Sequence, residues 1–389
     1  MKISFFSNFL THHQLPFCLE MQKRYGDDYK FISTAKISEE RLNLGYKDMD
    51  WDYDFVVRAY ENKEKYDEAV KLATESDIVI IGSTVGDDYF EERLKKDKLT
   101  FRYRERLFKE GFFKTLLNKE KRKLIYIRHL KYRKNKNVYV LCASAYGAGD
   151  FAKFNLYKNK IYKWGYFPEN NKYDIDKLIE KKEQNKEIII LWAARFIKWK
   201  NPWEAVEIGR KLKQDNIKAK IKMLGSGILF DEVKRKVEEE NLKDYIELVG
   251  AVDSDKVKDY MEEANIFIFT SNQGEGWGVV LNESLNAGCA VVANEEIGSV
   301  PFLIENGENG LIASNVDEFY NNVKLLINNK KLRMKLGKNA YKTIDEKWNY
   351  INAVDSLQEL FDSIINNKEL KIKNGPASKA DIYIKKGGK

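Results

Sequence analysis

The 389-residue sequence is poor in cysteine and histidine, with three of each. Cys18, Cys142 and Cys289 are odd in number and far apart, so neither a disulfide framework nor a zinc site is indicated. We expect each cysteine to be buried as a small apolar residue. No cluster of aspartate and histidine suggests a metal cage, so no set of metal ligands is predicted.

The sequence also lacks long apolar runs. No stretch of 18 or more apolar residues is present, which excludes a membrane-spanning helix. The opening residues, MKISFFSNFL, are too short and too lightly charged for a secretory signal. We therefore expect a cytoplasmic protein that is soluble or lies at the periphery of a membrane. The length predicts two domains, each with a core of its own.

Glycine is absent from the loop after the first predicted strand. Residues 2–7 are predicted to form that strand, and SNFLTHHQ leads from it into a helix over 15–24. A nicotinamide-dependent dehydrogenase would need a G-x-G-x-x-G fingerprint here with an acid about 20 positions later, so that class is excluded. Asn8, His12 and His13 would stand at the ligand end of the first sheet. The histidines there either contact substrate or cap and pack the loop.

Apolar runs and amphipathic stretches alternate along the chain. The predicted strands are 2–7, 31–34, 55–57, 78–81, 99–103, 124–127, 138–142, 188–193, 217–224, 246–248, 266–269 and 290–293. The helices predicted in the second half are 202–214, 230–240, 254–263, 279–287, 317–328, 331–345 and 351–365. This alternation predicts an α/β fold of two doubly wound domains with parallel sheets.

The domain boundaries follow from a predicted linker. Pro168 and the polar residues after it are typical of a connection between domains. We therefore assign residues 1–168 to the first domain and 169–345 to the second. A final helix over 346–366 is long enough to return to the first domain. The basic tail, 367–389, has no apolar period and is expected to be mobile.

The loop and helix between strands 266–269 and 290–293 carry two glutamates. Glu275 lies on the glycine-rich loop, and Glu283 lies eight residues later inside the helix. The glycines let the backbone approach a ligand, and free N–H groups at a helix start favour an anion such as phosphate. Ionised carboxylates accept hydrogen bonds from sugar hydroxyls. Phosphate and hydroxyl groups together suggest a nucleotide sugar.

Two cations follow strand 188–193. Arg195 offers a planar fork for phosphate oxygens and Lys200 offers a mobile point charge, so together they can neutralise a diphosphate leaving group. Either one alone could equally be a surface cation. Gly225 and Gly227 open the turn after the next strand, but such glycines are widespread in α/β folds.

These residues carry a resemblance to a known family. The sequence EGWGVVLNE, from Glu275 to Glu283, resembles the glutamate, seven residues, glutamate motif of the group 1 (family 4) retaining glycosyltransferases. Arg195 and Lys200 have the spacing of that family's diphosphate-binding pair. The resemblance covers residues 191–294, with its motifs in the expected order.

The resemblance implies the GT-B arrangement, in which two Rossmann-like domains face each other across a cleft. It also implies transfer of a sugar from a nucleoside diphosphate sugar to a hydroxyl of a glycan or lipid-linked acceptor. The anomeric configuration is retained, and no metal or other cofactor is required. UDP and GDP are not distinguished. Family members of this type build bacterial surface polysaccharide, such as lipopolysaccharide or capsule.

The same resemblance implies roles for individual residues. Glu275, Arg195 and Lys200 would be catalytic, with the glutamate on the donor-sugar hydroxyls and the two cations on the diphosphate. Glu283 would hold the ribose hydroxyls. The other donor-binding residues implied are Gly225, Gly227, Gly274, Gly276, Trp277, Gly278 and Val279.

The first domain resembles the family only in outline. Family members commonly carry a histidine at the end of a mid-domain strand, near the reacting sugar carbon. The comparable strand here is either 99–103, which runs into Glu105, or 124–127, which runs into His129. These two residues and the histidine pair of the first loop all stay candidates for the role. The family's glycine pair in the first loop is missing, so we expect an unusual acceptor side.

A different class of function is a non-catalytic protein that keeps the fold and binds a nucleotide sugar or serves as a scaffold. The presence of Glu275, Arg195 and Lys200 argues against a lost reaction. Turnover of a donor distinguishes the two hypotheses.

The positive charge of the chain is concentrated in residues 102–136. This segment has 14 lysines and arginines against three acids, or +11, and the rest of the chain is therefore at 8 − 11 = −3. An apolar stripe is predicted on one helix of the segment, formed by Phe108, Phe112, Phe113, Leu116 and Leu117. The helix either packs on the sheet or lies on an anionic membrane surface. Nucleic acid would be attracted by the same charge, but large apolar side chains at four-residue spacing suit lipid.

Overall fold

The computed structural model describes residues 1–43 and 45–383, with the backbone alone for residues 43, 254 and 255. The chain folds as two compact units. Unit 1 consists of Met1–Glu169 and the chain from Tyr350 onward, and unit 2 is Asn170–Asn349.

Unit 1 is built on a seven-stranded sheet in the order β3-β2-β1-β4-β5-β6-β7. All neighbouring strands in it are parallel. The strands are β1 (Ile3–Ser7), β2 (Tyr29–Ser33), β3 (Val56–Arg58), β4 (Ile78–Ile81), β5 (Thr100–Arg104), β6 (Val138–Cys142) and β7 (Ile161–Lys163). The strand order reverses between β1 and β4, so a ligand crevice is expected at the carboxyl ends of these two strands.

The helices of unit 1 are mostly short. They are α1 (Leu15–Tyr25), α2 (Glu39–Asn43), α3 (Lys63–Glu75), α4 (Glu91–Lys95), α5 (Phe112–Leu117), α6 (Lys119–Ile125), α7 (Gly147–Ala152) and α16 (Tyr350–Ile365). The final helix, α16, packs against α1, where Arg24 and Asp355 form an ion pair. Its Phe361 ring lies 5.0 Å from that of Phe101 on β5.

Unit 2 has a six-stranded sheet in the order β10-β9-β8-β11-β12-β13, again with parallel neighbours. Its strands are β8 (Ile188–Ala193), β9 (Ala219–Leu224), β10 (Ile246–Gly250), β11 (Ile266–Phe269), β12 (Ala290–Asn294) and β13 (Leu311–Ala313). Its helices are α8 (Ile175–Lys182), α9 (Pro202–Gln214), α10 (Phe230–Glu239), α11 (Ser254–Glu263), α12 (Val280–Asn286), α13 (Val300–Leu303), α14 (Val316–Asn328) and α15 (Lys330–Glu346). The predicted two doubly wound parallel sheets are confirmed.

The central strands of both sheets are buried because helices cover them on both faces. This is why the apolar runs at 78–81 and 266–269 are continuous rather than alternating. The three cysteines are buried, as predicted. The strands β7 and β13 were not predicted, because three residues are too few to show a period.

Residues 124–127 do not form the strand that their apolar pattern suggested. They belong to α6 and to a π-helical turn over Tyr126–Leu130. The side chain of Asn118 accepts a hydrogen bond from the backbone N–H of Lys121 and caps α6. A short apolar run does not distinguish a strand from a helix that buries one side, and here only Ile125 of these four residues is buried.

The apolar residues of segment 102–136 do not form the single stripe on one helix that was predicted. Phe108 precedes the helical segment and is buried, whereas Phe113 and Leu117 on α5 are 79% and 81% exposed. Asn118 separates α5 from α6. The segment therefore has no continuous helix from residue 106 onward, and its apolar residues face in two directions.

Residues 375–380 of the predicted mobile tail pack against the sheet of unit 1. Ala377 and Ser378 are fully buried. The backbone N–H of Lys163 donates to the carbonyl of Ser378 at 2.7 Å, and that of Ala377 donates to Lys163 at 2.8 Å. The tail thus pairs with β7, the last strand of the sheet, whose free edge offers unpaired backbone groups. Residues 384–389 of the predicted tail lie outside the described residues.

In the described part of the chain, no helix is both long enough and apolar enough to cross a membrane.

Candidate functional site

The strand order of unit 2 places two loops side by side. β8 lies next to β11 in the sheet, while β9 lies on the other side of β8. Arg195 and Lys200 follow β8, and Glu275 follows β11. The predicted cations and the predicted glutamate therefore leave the sheet on the two sides of its switch point, where ligands of open α/β sheets bind.

Lys200 and Glu275 form an ion pair across these loops. Their side chains are only 14% and 13% exposed, so the pair is shielded from solvent. The ammonium also lies 5.9 Å from the centre of the Phe269 ring, at the end of β11. A shielded ion pair holds both side chains in one place, and it leaves the remaining donors of the ammonium able to take an anion.

Trp199 connects Arg195 to the glycine-rich loop. The Arg195 guanidinium lies 5.5 Å from the centre of the indole ring. A side chain at Gly274 would come within 2.9 Å of the Trp199 Cβ, so the loop after β11 packs directly on this tryptophan. The backbone N–H of Asn272 donates to the Trp199 carbonyl at 2.9 Å. The two loops thus form one rigid rim around the cations.

Gly225 and Gly227 are required by a close backbone approach. A Cβ on Gly225 would lie 2.0 Å from the carbonyl oxygen of Ala194, and one on Gly227 would lie 2.6 Å from that of Phe196. Both glycines also have positive φ, at 126° and 148°. The turn after β9 therefore lies directly against the chain that carries Arg195.

The loop after β11 ends at Gly278, whose φ is 80°. A Cβ there would meet the Phe269 ring at 2.4 Å. Trp277 is buried and donates from Nε1 to Asn282 at 2.9 Å, which anchors the loop to α12. Gly276 is buried beside it, and Val279 precedes the first residue of α12.

Glu283 lies in the first turn of α12. Its side chain is half-buried, and burial raises the pKa of the carboxyl to about 7. A carboxyl of this kind changes its charge near neutral pH, so its ability to accept hydroxyl donors is sensitive to a ligand and to pH.

Three residues of this rim were missed by the sequence analysis. Thr270 accepts a hydrogen bond from Trp192 Nε1 at 2.8 Å and contacts the Lys200 carbonyl at 2.9 Å, so it ties β8 to β11. Glu296 accepts from the backbone N–H of Gln273 at 3.1 Å. Burial raises the pKa of the Glu204 carboxyl, in the first turn of α9, to about 7, and Glu296 adds to the rise. Only their positions next to strand ends could have suggested them.

In unit 1, the loop after β1 carries Asn8 and the histidine pair. Asn8 Oδ1 accepts from the backbone N–H of Phe9 at 3.0 Å and therefore caps its own loop. The rings of His12 and His13 are 3.7 Å apart. Burial, then the charges of His12 and Arg41, lowers the pKa of His13 well below its ordinary value. His13 lines an apolar cavity with aromatic residues that include Phe17.

Of the two strands compared with the family's histidine-bearing strand, only the one at 99–103 exists, as β5. Glu105 follows it directly and accepts from the Tyr166 hydroxyl at 3.2 Å. His129 lies in the π-helical turn instead, buried, with Nδ1 3.0 Å from the Tyr157 hydroxyl. Glu105 therefore occupies the end of the mid-domain strand, and His129 does not.

The chain is similar to known proteins in both sequence and fold. Residues 174–343 match the family model for glycosyl transferases group 1. An uncharacterised glycosyltransferase of Methanocaldococcus jannaschii is 29% identical over 194 residues, which is 49% of each chain. An N-acetylgalactosaminyltransferase of Campylobacter jejuni, named for a diphospho-undecaprenol-linked substrate, is 33% identical over 45% of this chain and 47% of its own. The matches thus span about half the length of these curated relatives.

Solved structures match nearly the whole chain. HepE of Anabaena, crystallised with UDP, has a TM-score of 0.66 and 16% identity over 93% of this chain and 100% of its own. A glycosyltransferase of Rickettsia africae has a TM-score of 0.65 and 16% identity over 94% of this chain and 99% of its own. The chain therefore has the GT-B fold of two Rossmann-like domains, and its second unit matches the group 1 glycosyl transferases.

Proposed function

We propose that this protein is a retaining glycosyltransferase that moves a sugar from a nucleoside diphosphate sugar to a hydroxyl of a glycan or lipid-linked acceptor. The observation that carries the proposal is the ion pair of Lys200 and Glu275 at the switch point of unit 2, with Arg195 on the same loop as the lysine. Cations for a diphosphate and a carboxylate for sugar hydroxyls stand together there. The family match of this unit supports the same activity.

The reaction needs charge stabilisation at the leaving diphosphate. Arg195 and Lys200 bind the diphosphate oxygens and replace a metal ion in neutralising the charge that develops there. Glu275 accepts hydrogen bonds from the donor-sugar hydroxyls and so fixes the anomeric carbon, and Glu283 holds the ribose. The leaving phosphate then helps to deprotonate the acceptor on the same face. No metal or other cofactor takes part.

UDP is the nucleotide that the comparisons favour. HepE of Anabaena was crystallised with UDP and with UDP-glucose. This chain has the same overall fold as HepE, and Gly225 and Gly227 give the turn after β9 the close backbone approach that a nucleotide site uses. GDP is the alternative.

A lipid-linked glycan is the acceptor that the relatives favour. The Campylobacter relative is named for a diphospho-undecaprenol-linked substrate, and another relative is an amylovoran biosynthesis glycosyltransferase of Erwinia amylovora. We therefore place the protein in the synthesis of a surface polysaccharide at the cytoplasmic face of the membrane.

An anionic membrane is the partner of α5 and α6 in unit 1. Phe113 and Leu117 are four residues apart on α5 and almost fully exposed, and Leu124 and Tyr126 are 41% and 56% exposed further along. The exposed basic residues around them are Lys114, Lys119, Arg122 and Lys123. Apolar side chains that enter the interface and cations that meet lipid phosphates make a peripheral anchor.

The direct test is a panel of nucleotide sugars. A bound donor raises the thermal midpoint by mass action, so UDP-sugars are expected to shift it and adenosine diphosphate sugars are not. Release of UDP in the presence of an acceptor glycan then separates an enzyme from a non-catalytic binding protein. Binding without any donor turnover, with every acceptor class tried, would favour the non-catalytic alternative.

A further inference from the structure

Two arginines of β5 carry buried nitrogens that bind nothing in the described part of the chain. Thr100, Arg102 and Arg104 alternate along β5 and so share one face of the sheet. Arg102 is 2% exposed, and its Nε and Nη1 are buried without a hydrogen-bond partner among the described residues. The same is true of Nε and Nη2 of Arg104. Buried charged donors without partners are costly, so they imply a ligand.

Arg93, on the same side of the core, shows what a structural arginine looks like here. It is also fully buried, but it donates to the carbonyls of residues 73, 76, 77 and 99 and to the hydroxyl of Thr100. All its nitrogens have partners. A buried arginine in this unit can therefore have hydrogen-bond partners for all its nitrogens, and Arg102 differs from Arg93 in this respect.

The neighbouring loop after β4 closes the arrangement. Arg104 Nη1 donates to the carbonyl of Gly82, and Arg128 Nη2 donates to that of Thr84 at 3.4 Å. Arg128 also pairs with Asp87 through Nε at 2.8 Å. The Thr84 hydroxyl is buried and has no partner among the described residues. Strand β5 thus carries two guanidinium groups with nitrogens that are unpartnered in the described chain, and Arg104 contacts the loop after β4, on which the buried Thr84 hydroxyl lies.

Positive charge is in excess at this place. Arg102 and Arg128 act against the charge of Arg104, whereas Asp87 acts in its favour. Burial, followed by the repulsion of Arg102 and Arg128, lowers the pKa of Arg104 to about 9. Burial and these same arginines also lower the pKa of His129 well below its ordinary value. The charge of Asp87 does not by itself balance three guanidinium groups.

We propose that Arg102, Arg104 and the Thr84 hydroxyl bind the phosphoryl oxygens of a phosphate or diphosphate group in unit 1, with Arg128 as the outer cation. A phosphoryl group offers several charged acceptor oxygens, which suit guanidinium forks and a hydroxyl. All four of these residues belong to unit 1, whereas the residues proposed for the donor diphosphate belong to unit 2. The origin of the bound phosphoryl group rests on the proposed function. In that function, the group is the phosphate that links an acceptor glycan to its lipid carrier.

The test is a calorimetric titration with inorganic pyrophosphate and with geranyl diphosphate. It is carried out on the full chain with Arg195→Ala and Lys200→Ala, so that both proposed diphosphate-binding cations of unit 2 are removed. Arg102→Met is expected to weaken binding of both probes at least about 10-fold, since each charge-assisted hydrogen bond contributes that much or more. Tighter binding of the prenyl probe assigns the group to a lipid-linked acceptor, and tighter binding of pyrophosphate assigns it to a free ion.

Thermal stability provides the second measurement. Arg102→Met removes unpaired buried charge, so the free protein is expected to melt at the same temperature or higher and to lose its stabilisation by pyrophosphate. Arg93→Met is the matched control and is expected to lower the melting temperature, because it leaves five acceptors without their donor. If Arg102→Met fails to fold, the pair Thr84→Val and Arg128→Gln replaces it in the titration.

Two results would overturn the anion site. One is equal binding of pyrophosphate by the parent protein and by every variant of the site, and the other is no binding at millimolar concentration to any of them. UDP binding is measured on the same proteins with Arg195 and Lys200 restored. If the native chain did not bind UDP, the proposed donor site in unit 2 would be contradicted, but the result for pyrophosphate would be unchanged. The two proposals can therefore be contradicted independently.

Discussion

The ammonium of Lys200, on the loop after β8, is ion-paired with the carboxylate of Glu275, on the loop after β11. The two residues are 75 positions apart in the sequence and meet because β8 and β11 are neighbours in the sheet. Both side chains are mostly buried, so removal of one leaves a shielded charge without its partner. Substitution of either residue is therefore expected to lower the stability of the rim as well as to change the binding groups at the site.

The two glutamates of the motif are expected to fail differently. Glu275→Ala should lower turnover about 10²-fold or more, because the contact it loses orients the reacting sugar in the transition state. Glu283→Ala should mainly weaken donor binding, because the ribose does not react. Steady-state kinetics with a measured donor affinity separate the effects. Wild-type turnover and affinity in both variants would remove this site from consideration.

Lys200 is expected to replace a metal ion in neutralising the charge on the leaving diphosphate. The activity of the native protein should survive EDTA, whereas Lys200→Ala should lose at least about 10²-fold in turnover with little change under the chelator. Lys198, exposed two residues earlier on the same loop, is the matched control and should tolerate alanine. Loss of native activity in EDTA that magnesium restores would contradict the assignment.

Glu283 predicts a pH dependence of both stability and donor binding. Its pKa is about 7 in the folded protein against an ordinary value of 4.5, so the folded state binds the proton more tightly. This contribution to stability is complete below the ordinary value and is lost as pH rises through about 7. Glu283→Gln should therefore be more stable than the native protein at pH 8, by about 1–3 kcal/mol, and equal to it at pH 4.

The ionised carboxylate is the better acceptor for ribose hydroxyls, so UDP should bind the native protein more tightly at pH 8 than at pH 6. In Glu283→Gln this difference should disappear. Isothermal titration at several pH values measures it, and an identical pH profile in both proteins would contradict the role of Glu283.

The backbone approach at Gly225 predicts a large loss of stability on substitution. Gly225→Ala would place a Cβ 2.0 Å from a carbonyl oxygen at a φ of 126°, and should cost more than about 3 kcal/mol. Gly250→Ala is the control in the same unit, since its φ of 86° is positive but no atom lies within 4 Å of the new Cβ. It should cost only about 1–2 kcal/mol. Urea unfolding compares them, and equal losses would mean that the close approach does not matter.

The membrane surface is tested by co-sedimentation with liposomes. Binding should require anionic lipid, weaken with salt, and decrease when Phe113 and Leu117 are changed to serine or when the Lys121–Lys123 tripeptide KRK is changed to glutamine. The same tripeptide, KRK, occurs on α10 at residues 234–236, exposed and among acidic neighbours. Its change to glutamine is the matched control and should have little effect. Equal binding to neutral and anionic vesicles, or binding to neither, would contradict the proposed membrane-binding surface. Binding to nucleic acid alone would indicate that the basic segment binds nucleic acid instead of lipid.

Much of the fold was determined by the sequence itself. Buried central strands of parallel sheets are continuous apolar runs, so 78–81, 266–269 and their neighbours could be located from hydrophobicity alone. The family resemblance predicted that Arg195, Lys200 and the two glutamates serve one donor site, and the ion pair of Lys200 with Glu275 joins two of these residues. Local patterns determine such features because strand burial and motif spacing are properties of short segments.

Other features were decided by tertiary structure. The apolar run 124–127 forms a helix because it packs one side only, and the tail at 375–380 is ordered because the free edge of β7 binds it. The basic segment 102–136 is the clearest case in which the sequence alone did not predict where the side chains lie. Its charge is one continuous feature in the sequence, yet Arg102 is buried on β5 and Lys123 is exposed on α6. Net charge does not record the direction of a side chain, which depends on the strand and helix that carry it and on what packs against them.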